Sequence, residues 1–72
     1  MKTLAEIRVL SGFKSQKDFA IASNFTRSAI AKWERGLSYP AAQKLPLLSG
    51  ILGVSEGEII KAVTASKSKT VS

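Results

Sequence analysis

Arg27, Ser28, Lys32 and Arg35 fall within nine consecutive positions and are the residues with the most evident chemistry in this chain. At about 100° per residue, a helix over this stretch puts these four and Ala31 on one side. Ala29, Ile30 and Trp33 fall on the other. Such a helix has an apolar inner face and a cationic, polar outer face. The outer face suits an anion. Arginine matches a guanine edge, lysine a guanine or a phosphate, and serine is less selective. The bland reading of the same pattern is an ordinary solvated face, with Trp33 simply packing in the core.

Other chemistries are poorly supplied. The chain has no cysteine and no histidine, which removes disulfides, thiolate metal sites, zinc chemistry and histidine acid–base catalysis. Its five carboxylates are scattered without a local motif, so no enzyme and no cofactor are expected. Eleven Lys and Arg against five Asp and Glu leave a net charge of +6, which favours nucleic acid, a membrane surface or an acidic protein. The membrane is the weakest of these, because no apolar run approaches the roughly 20 residues of a spanning helix. Glu6 and Arg8 interrupt any signal-like apolar segment, so a cytoplasmic location is expected.

The elements that must position the cationic face are marked by helix starts. Thr3-Leu4-Ala5-Glu6 is a capping box, followed by Leu4, Ile7 and Leu10 at helical spacing, with Gly12 as the stop. This predicts helix 1 over 4–11. Ser15 caps helix 2, with Asp18 in its first turn and Asn24, a residue tolerant of left-handed backbone, at its end. Thr26 caps helix 3, which runs to about Arg35 before Gly36. Tyr39-Pro40 is a turn, helix 4 covers 45–53 with Pro46 in its first turn, and Ser55-Glu56-Gly57-Glu58 opens a short helix 5. The expected fold is all-α, four to five helices around one small core. The domain spans 1–64. Residues 65–72, with Lys67 and Lys69, form a frayed basic tail.

Two capped helices joined by a short turn, the second cationic on its outer face, have the layout of a helix-turn-helix. The residues sharpen this. Ser15-Gln16-Lys17-Asp18-Phe19-Ala20, then Asn24 through Gly36, then Pro40, resemble the Cro and phage-repressor (XRE-type) helix-turn-helix family, with Ile30-Ala31-Lys32-Trp33-Glu34-Arg35-Gly36 as the most specific run. Leu52-Gly53-Val54-Ser55 resembles that family's junction of helices 4 and 5, and the likeness covers residues 4–60. The whole chain resembles the modulator-of-repression proteins of temperate phages.

The resemblance implies a lambda-repressor-like domain that binds double-stranded operator DNA in a lysis–lysogeny switch. It implies a phosphate contact, and often an outer base, for Gln16. It also implies a phosphate-contacting cap at Thr26, base reading by Arg27, Ser28 and Lys32, and a second phosphate cluster at Arg35 and the backbone of Leu37–Tyr39. Lys17 and Tyr39 join this DNA-binding set. It further implies a structural ion pair between Arg8 and Glu34.

The chain departs from the family pattern in three places. The turn Gly12–Ser15 is one residue longer, Asn24 replaces a turn glycine, and Ile21 and Phe25 are apolar where polar or smaller residues are commoner. Ile21 and Phe25 either repack into the core or form a contact surface for a cognate phage repressor. A lone module covers only about 600–1,000 Å² of DNA contact, so a homodimer or that repressor must supply further affinity. The rival classes are a modulator that acts mainly on the repressor's DNA-binding domain and an antitoxin-type regulator.

Overall fold

A computed structural model of the chain describes residues 2–70. Its elements in order are α1 (Leu4–Leu10), α2 (Gln16–Ser23), α3 (Arg27–Glu34), a 3-10 turn (Ala42–Lys44), α4 (Leu45–Leu52) and α5 (Glu56–Thr70). No strand occurs among the described residues.

Each helix start predicted from a capping residue is found. The Thr3 hydroxyl accepts from the Glu6 amide while the Glu6 carboxylate accepts from the Thr3 amide at 2.9 Å. Ser15 Oγ accepts from Asp18 N at 3.1 Å, Thr26 Oγ1 from Ala29 N at 3.1 Å, and Ser55 Oγ from Glu58 N at 3.2 Å. These bonds satisfy amides that a helix leaves without partners. Asn24 ends α2 with φ 60°, in the left-handed conformation expected of it. Gly53 caps the C-terminus of α4 from outside the helix, with φ 70°.

The core gathers one apolar stripe from every helix: Leu4 and Ile7, Phe19, Ile30 and Trp33, Leu45, Leu48 and Leu52, then Ile59, Ala62 and Val63. Helix α5 is the centre of the packing and touches α1, α3 and α4. Its buried stripe does not stop at Val63. Ser66 is only 1% exposed. Its Oγ accepts from the Leu4 amide at 3.1 Å and donates to the Ala62 carbonyl at 2.8 Å. A residue near the end of the chain therefore caps the beginning of α1.

This differs from the expected short helix 5 and a tail beginning at residue 65, because α5 continues to Thr70. A second close approach supports the extension. Gly36, at φ 71°, sits so near α5 that a β-carbon there would lie 2.3 Å from the Lys67 Cα. The Lys69 side chain and residues 71–72 lie outside the described residues.

Candidate nucleic-acid interface

Helices α2 and α3 pack against each other, and the short segment between them turns at the left-handed Asn24. Ser23 is buried and donates to the Phe19 carbonyl at 2.7 Å. Phe25 follows the turn and packs edge-on against Trp33, with ring centroids 4.9 Å apart. Trp33 and Ile30 are buried, so the inner face of α3 is core as read from its periodicity.

The opposite face of α3 is open. Arg27, Ser28, Lys32 and Arg35 are all exposed, and Ala31 between them is half-buried. Eight helical residues span about 12 Å, comparable to the width of a DNA major groove. Lys17 is exposed on α2. Thr26 holds the N-terminus of α3 through its cap and remains exposed, so a capping and a phosphate-contacting role are compatible. The Tyr39 hydroxyl lies 2.8 Å from Thr64 Oγ1 on α5. That contact anchors the loop after α3.

Behind this face lies a charged network. Arg8 Nε donates to Glu34 Oε2 at 2.7 Å, and the two side chains are only 10% and 6% exposed. Arg8 Nη1 also donates to the Phe13 carbonyl at 2.8 Å. The other carboxylate oxygen, Glu34 Oε1, accepts from Gln16 Nε2 at 3.0 Å. Gln16 is half-buried, and sequence reasoning placed it at the DNA face without a protein partner. The sequence carried only half of that signal, in Glu34, and the packing angle of the helices supplies the rest. At about 100° per residue Glu34 sits at the border between the inner and outer faces of α3, within reach of both neighbouring helices.

The two apolar residues at the turn separate. Ile21 is 72% exposed, one turn along α2 from Lys17, whereas Phe25 is half-buried against Trp33.

A helix-turn-helix family model matches residues 4–59, most of the chain. The chain belongs to the helix-turn-helix family. Proteins of this type are DNA-binding regulators, not typically enzymes, and in a helix-turn-helix the second helix of the pair is the one that lies in the major groove. No curated protein and no solved structure matches the chain. Among the described residues no group of carboxylates is arranged to hold a metal, and no helix is long and apolar enough to cross a membrane.

Proposed function

We propose that this helix-turn-helix protein is a transcriptional regulator of a phage genetic switch, binding operator DNA through α3 and acting with a cognate repressor. The observation that carries the DNA reading is the exposed face of Arg27, Ser28, Lys32 and Arg35 on a helix whose other side is locked into the core. In this reading Arg27, Ser28 and Lys32 meet base edges. Gln16, Lys17, Thr26, Arg35 and the Tyr39 loop meet the backbone. One such module covers a single half-site, so a second copy or a partner completes the affinity.

A second reading is favoured by Ile21. A β-branched side chain 72% exposed gains nothing against a phosphate backbone, whereas an apolar residue with a charged neighbour suits a protein contact. In that reading α2 docks on the repressor's DNA-binding domain, and the protein acts chiefly as its modulator.

One titration series separates them. The wild type, Arg27→Ala with Lys32→Ala, and Ile21→Ser are each titrated with duplex selected from a random-sequence pool and with the repressor's N-terminal domain. Under the DNA reading, the double variant loses the duplex and Ile21→Ser keeps it. Under the modulator reading, Ile21→Ser loses the repressor domain. Wild-type binding to neither probe refutes both.

A further inference from the structure

We propose that Glu34 is a positioning residue for the DNA face: it holds the Gln16 side chain in one fixed orientation before DNA arrives. The inference rests on reading Gln16 as a DNA contact and adds what prepares that contact.

Glu34 divides its carboxylate between two helices. Oε2 takes Arg8 from α1 at 2.7 Å, and Oε1 takes Gln16 from the first position of α2 at 3.0 Å. Arg8 is itself tied to the Phe13 carbonyl in the loop between α1 and α2. A single hydrogen-bonded path therefore runs from that loop through α1 and α3 to the tip of Gln16. The carboxylate accepts and cannot donate, so it must face the nitrogen of the Gln16 amide. That fixes which way the amide is turned. Its oxygen points away from Glu34, and one N–H is left for a ligand.

Two consequences follow for binding. A glutamine free to rotate loses rotamer freedom when it docks, whereas a tethered one has lost it on folding. The Arg8 guanidinium also offsets a carboxylate that would otherwise stand near the path of DNA phosphates. The arrangement couples a scaffold ion pair to the polar surface of α2 and α3.

The test compares two double variants of the full chain, Arg8→Met with Glu34→Gln and Arg8→Met with Glu34→Met. Both remove the ion pair without stranding a charge. Only the first keeps an acceptor for Gln16. Each is made with and without Gln16→Ala. The first readout is the heteronuclear NOE of the Gln16 side-chain amide in the free protein, with the exposed Gln43 amide as the mobile reference. The expected result is an ordered Gln16 amide in wild type and with Glu34→Gln, and a mobile one with Glu34→Met. The second readout is affinity, at fixed salt, for the duplex that wild type selects from a random-sequence pool. The Glu34→Met double variant should bind about three- to tenfold more weakly than the Glu34→Gln one, and Gln16→Ala should cost more affinity in the Glu34→Gln background than in the Glu34→Met one.

An amide as ordered with Glu34→Met as with Glu34→Gln overturns the proposal. So does loosening without any change in affinity. A wild-type Gln16 amide as mobile as that of Gln43 overturns it even where the Met variant fails to fold. If wild type selects no duplex at all, the operator-binding reading falls. An ordered amide then marks the network as scaffold only, and the positioning proposal falls with it.

Discussion

Replacing Arg8 by Met should destabilise this domain more than removing any exposed charge. The Glu34 carboxylate would keep its place in the core wall, 6% exposed, having lost its 2.7 Å partner. The Phe13 carbonyl would lose its donor as well. Breaking a buried pair from one side costs about 3–5 kcal/mol, because the remaining charge stays desolvated. A chain of this size has only about 4–11 kcal/mol of total stability. At roughly 4–8 °C per kcal/mol for a domain of this length, the melting temperature should fall by about 12–40 °C. Glu34→Leu alone strands the guanidinium and should cost a similar amount. The double variant removes both charges and should recover some of the loss, so that it costs less than either single variant and the coupling energy exceeds about 3 kcal/mol. Thermal melts followed by circular dichroism, checked by urea titration for an unchanged m-value, measure all four corners of the cycle. Single variants within about 0.5 kcal/mol of wild type would refute the reasoning and reduce the pair to a solvent-screened contact.

The other predictions bear on the α5 extension and on the two binding readings. Ser66→Ala leaves the buried Leu4 amide without its acceptor and should cost about 1–3 kcal/mol in a denaturant titration, whereas a frayed tail would give no change. Arg27→Ala should weaken operator binding by about 1–3 kcal/mol and relax base preference in a selection assay. Lys32→Ala should either do the same or weaken all duplexes alike with a shallower salt dependence. Ile21→Ser should leave the melting temperature within a few degrees of wild type, since the side chain is 72% exposed, and should weaken binding to the repressor domain in calorimetry.

The parts of this fold legible in the sequence are those governed by local chemistry. A hydroxyl before a run of apolar residues at helical spacing caps the nearest amides, and Thr3, Ser15, Thr26 and Ser55 all do so. Asn24 was readable for the same reason, as a turn position needing positive φ. The end of α5 was not. Ile59, Ala62, Val63 and Ser66 keep one helical stripe, but the Ser, Lys and Thr around Ser66 have the composition of a solvated tail. What overrides composition is a long-range bond to Leu4 and the close passage of Gly36 beside Lys67, neither visible along the chain. The 3-10 turn at Ala42–Lys44 lacks a side-chain cap, so it left no comparable signal. At the candidate interface the cationic face of α3 followed from periodicity. The tie between Gln16 and Glu34 needed the angle between two helices.

Ile21 and Phe25 show how tertiary context sorts two residues that look alike in sequence, and the sorting bears on how the two binding readings relate. Phe25 finds Trp33 and becomes part of the scaffold. Ile21 finds nothing comparable and stays on the surface of α2, four residues from exposed Lys17. Residues four apart on a helix stand only about 6 Å apart. A protein partner covers about 800 Å² on each side of a standard interface. A standard-size partner centred on Ile21 would also reach Lys17 and the beginning of α2, where Gln16 is held by Glu34. The helix-turn-helix layout brings that same end of α2 to the DNA backbone. Under the modulator reading, with the repressor domain seated on Ile21, that domain and an operator half-site would compete for one copy of this surface. In calorimetry, adding the selected duplex should lower the apparent affinity for the repressor domain in proportion to its own saturation. Unchanged repressor affinity at saturating duplex would place the protein contact elsewhere on the molecule and remove Ile21 from it.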